Sequence, residues 1–397
     1  MHVATLEHVE ARPSAPRWLA LDLFRFCAVC LMVQGHVFST LLDSATKSQR
    51  WYPHHSFVHG YTAPMFLLGA GLAFGYTTFR AWDEHAKGGP ATIKRFKRYA
   101  WLLVIGYALH LPTMSLSRLF ALDEAQLRQL AQVDVLQHIG VTLALCQLLV
   151  LLVKRRRAFV AVVAVLAAAS AVAAPWVWAI DLEGVSPWLA GYVNASTGSQ
   201  FPLVPWSGFT LFGIVLAHAI GIRGDARSVS ERVRWPLAVV AAAFLIVPVL
   251  IDRFGVWPWP AHNFWKVNPL FFSWRLGNAL AVLALLCFAE RAIERAGWSG
   301  SRVLSWVKLV GTESLIIYVV HLVLLHGSVL GPGLAHTETL GRGTQGVLGA
   351  SAVTLVLFSA MVLLAKMWSE LRKTSAAFTA AQLGLTGGFV LLMLMHG

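Results

Sequence analysis

Asp22, Arg25 and His36 lie inside LDLFRFCAVCLMVQGHVF (Leu21 to Phe38), a run otherwise apolar enough to cross a bilayer. A second such run, VKLVGTESLIIYVVHLVLLHG, carries Glu313 and His321. Ionisable side chains in hydrocarbon are costly unless they face a partner, water or the interior of a helix bundle. With a rise of ~1.5 Å per helical residue, Asp22 and Glu313 fall at one depth, and His36 and His321 at another nearer the opposite face. These four are expected to line one inner cavity, with Arg25 three residues from Asp22 on the same helix face. Imidazole exchanges protons near neutrality, so the chemistry that such a set supports is proton transfer. The plainer alternative is an ion pair and two histidines that hydrogen-bond and hold helices together.

Other polar groups reach the histidine level from neighbouring runs. Asp134, Gln137 and His138 open one, His110 closes another, and His54, His55 and His59 lie between the first two. Eleven of the fifteen histidines fall in this half or its loops under the topology below. Metal ligation by His54, His55 and His59 is a weaker alternative, because no carboxylate or cysteine completes a site, and no metal is expected. Cys27 and Cys30 form a C-x-x-C in the middle of an apolar helix. Like Cys146 and Cys287, they are expected to pack rather than to bind metal or form disulfides.

The elements that must position these groups are membrane helices. The chain has 397 residues, of which 57% are hydrophobic and 13% charged, with a mean hydropathy of +0.64; this is not the balance of a soluble globular domain. Apolar runs begin near residues 19, 56, 98, 133, 157, 202, 235, 270, 307, 345 and 376. The expected fold is an all-α polytopic membrane protein of about eleven helices. A cytoplasmic tail (residues 1–17), without a removable signal peptide, precedes a single transmembrane domain (18–397). Alternate loops hold 23 of the 32 Lys and Arg residues, which makes that side cytoplasmic, the amino terminus internal and the carboxyl terminus external. The net charge of +13 follows from this rule and from anionic lipid, so no nucleic-acid partner is expected. Pro64 is expected to kink the second helix. Gly71 and Gly75 permit close helix approach, and small-residue faces would tolerate a homodimer.

Several segments resemble one family. Asp22, Arg25 and His36 form D-x-x-R-x10-H, which is followed by HGYTAPMFLLGAG from His59 to Gly71 and FPLVPWSGFTLFG from Phe201 to Gly213. With DVLQHIG at Asp134 and GTESLIIYVVH ending at His321, these are similar to the heparan-α-glucosaminide N-acetyltransferase catalytic-domain family. The last two are also similar, more loosely, to the type-3 membrane acyltransferases. The resemblance implies transfer of acetyl from cytoplasmic acetyl-CoA to a sugar amine or hydroxyl across the membrane, with histidine at the chemical centre. Under it His36 is the expected general base, or the carrier of an acetyl-histidine intermediate. His59 is the second choice, His321 an orienting or relay partner, and Asp134 or Glu313 the carboxylate that fixes a tautomer.

Donor binding is expected at Asp22, Arg25, Arg95, Lys97 and Arg98, with the basic residues near the phosphates of CoA. Acceptor contacts are expected at His54, His55, His138 and Arg275. Asn278, Tyr318 and Arg275 are candidate oxyanion donors. The implied setting is a bacterial cytoplasmic membrane, with a cell-envelope glycan or lipid-linked sugar as acceptor. The rival reading is a proton-coupled transporter with a polar site at the midplane, although no two-half symmetry is evident in the sequence.

Overall fold

A computed structural model describes residues 18–221, 227–255 and 258–374, with scattered positions between 378 and 388. The tail expected over 1–17 and the helix expected near 376 lie outside the described residues. Every other expected apolar run falls on a helix or a pair of helices. They are α1 (Leu19–Leu41), α2 (Trp51–His59), α3 (Thr62–Arg80), α4 (Pro90–Ala108), α5 (Val135–Val153), α6 (Arg156–Val172), α7 (Leu203–Ile220), α8 (Arg227–Phe254), α9 (Pro269–Arg295), α10 (Arg302–Thr312), α11 (Ser314–His326) and α12 (Val347–Lys373).

Among the described residues seven spans are long and apolar enough to cross a membrane, or eight if the bent pair α10 and α11 counts as one. α4 and α6 are not among them: Lys94, Arg95, Lys97 and Arg98 make the first half of α4 polar, and α6 has 17 residues. The chain is thus a mostly helical, multi-pass membrane protein. In the apolar windows of α8 and α12 only 17% of residues are buried within the protein. Val239, Val249, Leu355 and Val356 point outward, as side chains facing lipid should.

Central to the bundle is α1, which packs against α3, α9, α10, α11 and α12. Glycine sets one close crossing: a Cβ on Gly71 of α3 would run into the backbone of Thr210 and Gly213 on α7, so only a residue without one lets these helices touch. The start of α1 is tied down by a buried carboxylate from another helix. Glu290 of α9 accepts the Ala20 N–H at 3.0 Å and the Ser230 hydroxyl, and Ser230 in turn accepts the Trp18 indole N–H at 2.7 Å. One orphan donor of the first turn of α1 is thereby satisfied without water.

One local expectation agrees with the structure and one is corrected. The regular helix of the second span is interrupted at Gly60–Tyr61, between α2 and α3, one turn before Pro64, whose missing amide would otherwise bond the Gly60 carbonyl. The run holding Glu313 and His321 is not one straight helix: α10 and α11 meet at 73° around Glu313. The polar tetrad Gly311-Thr312-Glu313-Ser314 interrupts an otherwise apolar stretch at that point.

Candidate active site

The helix order brings three of the expected histidines together. His36, near the end of α1, lies 2.9 Å through Nδ1 from His321 Nε2 on α11. The His59 ring, at the end of α2, is 5.5 Å from that of His36, and His326 closes the group at 6.4 Å. Gly35 makes room for His59: a Cβ there would occupy the imidazole. Gly35→Ala is therefore expected to displace His59 while leaving the bundle intact. Side-chain density or an imidazole NMR shift checks the displacement, and turnover should fall about tenfold or more if His59 takes part.

Hydrogen bonds fix the tautomers of the neutral pair. His321 Nδ1 lies 2.7 Å from the Ile317 carbonyl, which can only accept, so Nδ1 carries the hydrogen and Nε2 the lone pair. That lone pair faces His36 Nδ1, so His36 donates from Nδ1 and keeps its own lone pair on Nε2. His321 is fully buried, whereas His36 is half-buried. A half-buried imidazole, held through one nitrogen and basic at the other, is suited to taking a proton from an incoming nucleophile.

Asp134 is shared between a helix cap and this site. As N-cap of α5, it accepts the Val135 N–H through Oδ1 at 2.7 Å, and Gln137 completes a capping box. Its Oδ2 accepts the Tyr318 hydroxyl at 3.3 Å and lies 3.8 Å from His110 Nε2. The rings of Tyr318 and His321 are 6.0 Å apart.

Tyr318 also lines a cavity of about 510 Å³. Asp22, Arg25, Arg95, Arg98 and Tyr99 line its basic end, Ala70 and Ala73 its middle, and Phe66, Val135, Leu136 and Tyr318 its far end. From Phe66 to Thr77 the lining follows α3 for about 16 Å. Arg95 donates to Thr77 and Thr78 at 2.8 Å and to Gln147 at 2.9 Å, and so ties α3, α4 and α5 together. Arg98 is exposed.

The single cavity expected around Asp22, Glu313, His36 and His321 is thus divided. Asp22 and Arg25 line the cavity, but neither histidine of the pair does, although His321 lies next to its Tyr318 wall. Glu313 is buried in an ion pair with Arg372 of α12. Lys97 is not among the cavity-lining residues.

The expected acceptor residues also separate. His55 shares the α1-facing side of α2 with His59, bonding Gln34 at 2.7 Å. His54, one position earlier, is exposed. His138 is fully buried, with Nδ1 3.1 Å from the Phe201 carbonyl and Nε2 3.4 Å from the Thr142 hydroxyl. Its Nδ1 joins α5 to the segment before α7, and its Nε2 bonds within α5 itself, so neither nitrogen is directed to the histidine group. Asn278 donates to the Trp274 carbonyl within its own helix. Arg275 lies beside Gly60, the residue after His59.

His326 and the apolar walls of the cavity were not singled out from sequence. His326 had a signal in its spacing five residues after His321, whereas Ala70, Ala73 and Phe66 carry none. Among the described residues no group of three His, Cys, Asp or Glu side chains is placed to hold a metal ion.

The profile of the family described as heparan-alpha-glucosaminide N-acetyltransferase, catalytic, matches residues 17–251. That stretch, more than half of the chain, holds His36, His59, Asp134 and the basic end of the cavity, while Tyr318 and His321 follow it. No curated protein matches the chain.

Proposed function

As the chain belongs to the heparan-alpha-glucosaminide N-acetyltransferase catalytic family, and is on that ground a transmembrane acetyltransferase, we propose that it moves acetyl from cytoplasmic acetyl-CoA to a sugar amine or hydroxyl on the opposite side. One observation carries this reading. The long cavity begins among Arg25, Arg95 and Arg98 and ends at Tyr318, beside the His36–His321 pair. The basic end lies on the side rich in Lys and Arg, which the charge rule makes cytoplasmic. Its cations suit the phosphates of CoA, and its apolar middle suits a pantetheine arm.

In the proposed reaction the acceptor N–H or O–H approaches from the histidine side. Its heteroatom attacks the thioester carbonyl at the Tyr318 end of the cavity, and His36 Nε2 takes the proton. The tetrahedral intermediate collapses with cleavage of the C–S bond, and CoA leaves as a thiolate that receives the proton held by His36, which returns the imidazole to its neutral form. Asp134 keeps the Tyr318 hydroxyl oriented at this end, and His321 holds the His36 ring. A cell-envelope glycan or lipid-linked sugar is the acceptor that fits an extracytoplasmic site.

Purified full-length protein in detergent, incubated with acetyl-CoA and a panel of amino sugars, tests the proposal through release of free thiol. Acceptor-dependent release with one acetylated sugar formed per thiol is the expected result. Absence of both acetyl-CoA binding and thiol release would overturn the proposal.

A further inference from the structure

A second set of polar groups lies at the histidine end, in a crevice between α7 and α9. Pro205, Trp206, Phe209, Phe271 and Phe272 form its walls, and Lys266 and Arg275 supply its charge. The guanidinium of Arg275 stacks on Phe271 at 4.3 Å and on Trp206 at 5.7 Å from the ring centres. Stacking occupies the faces of the guanidinium and leaves its N–H edges directed outward in the plane. Among the described residues no carboxylate lies within ion-pair distance of Arg275, and its side chain makes no hydrogen bond.

Two further donors nearby are also unsatisfied. The Trp206 indole N–H and the Tyr61 hydroxyl are buried without a partner among the described residues, and Tyr61 lies within electrostatic reach of Arg275. Arginine, lysine and indole can donate but not accept, and the tyrosine can do either. Lys266 is exposed and Arg275 half-buried, but the buried indole N–H and hydroxyl are costly unless an acceptor meets them, and a group composed almost wholly of donors calls for an anion.

We propose that the mouth of this narrow crevice, where Lys266 is exposed and Arg275 half-buried, binds a phosphate-class oxyanion, held bidentately by Arg275 with Lys266 and Trp206, and that the oxyanion belongs to the acceptor. The link to an acceptor rests on the acetyltransferase reading; the anion site does not. Its position supports the link, because Arg275 lies beside Gly60, whose neighbour His59 faces His36. A sugar bound at His36 would therefore carry its phosphate toward Arg275. The exposed aromatic side chains of Phe264 and Trp265 flank Lys266, as at the level of lipid headgroups, where a lipid-linked sugar phosphate would lie.

The test uses full-length protein in phosphatidylcholine nanodiscs, with glucosamine and glucosamine 1-phosphate as acceptors. Wild type should favour the phosphorylated sugar in kcat/KM by about 10- to 100-fold, the worth of a charge-assisted contact. Arg275→Gln should bring that ratio close to one. Trp206→Phe, which keeps the ring and removes one donor, should lower it several-fold. Inorganic phosphate alone should raise the melting temperature of wild type and not that of Arg275→Gln, a readout that survives even if no sugar is acetylated. Faster turnover of neutral glucosamine in phosphatidylglycerol discs than in phosphatidylcholine discs, lost in Arg275→Gln, would assign the same site to a lipid headgroup instead of the acceptor. Equal use of both sugars together with no thermal response to phosphate overturns the proposal.

Discussion

Replacing His36 with alanine is expected to lower acceptor-dependent thiol release from acetyl-CoA by about 10²- to 10⁴-fold, the range supplied by a positioned general base. The effect should fall on kcat, with the KM for acetyl-CoA little changed, because His36 is not among the residues lining the donor cavity. His321→Ala should cost less. It removes the acceptor for the His36 Nδ1–H and frees the ring to turn, yet leaves an imidazole in place. Steady-state kinetics on both variants, with binding of acetyl-CoA measured separately, distinguishes the two roles. If the larger loss appears in His321→Ala or in His59→Ala, the base is not on α1. If acetyl-histidine accumulates on mixing wild type with acetyl-CoA alone, transfer proceeds in two steps and the same residue acts as nucleophile.

Filling the donor cavity should produce the second large effect, and on the other kinetic parameter. Ala73 lies in the middle of the cavity wall; Ala73→Trp would place an indole across the path of the pantetheine arm. An increase of about 100-fold in the KM for acetyl-CoA is expected, about 2.8 kcal/mol of binding. The residue faces open space, so the bundle should tolerate the larger side chain, and size-exclusion behaviour and melting temperature check that it does. Unchanged affinity for acetyl-CoA would mean that the donor does not enter there.

The two variants address features that differed in how far they could be read from the chain. Hydrophobicity is local, so the apolar runs marked the helices without any knowledge of their partners. Depth was legible as well, because the helical rise is nearly constant, and the matching of His36 with His321 needed only that constant. The cavity was not legible. Ala70, Ala73, Phe66 and Leu143 shape it by what they leave unfilled, and no residue type signals that.

Partnership was also hidden where it depended on a third helix. Glu313 looked like the counterpart of Asp22, yet the 73° bend turns it toward Arg372. His138 stood beside Asp134 in a polar cluster, but its ring turns toward the segment before α7 and away from the histidine group. It satisfies Phe201 and Thr142 instead. Glu290 gave no warning at all, being one acid among charges at the basic end, although it closes the first turn of α1.

The central claim is that donor and acceptor meet from opposite faces of the membrane. Sealed proteoliposomes with the protein inserted in one orientation test it most directly, with acetyl-labelled CoA confined to the compartment facing Arg95 and Arg98, and the amino sugar to the other. The expected result is labelled acetyl-sugar in the compartment without CoA, and none when the two substrates are exchanged. Acetylation only when both substrates share one compartment would contradict the claim.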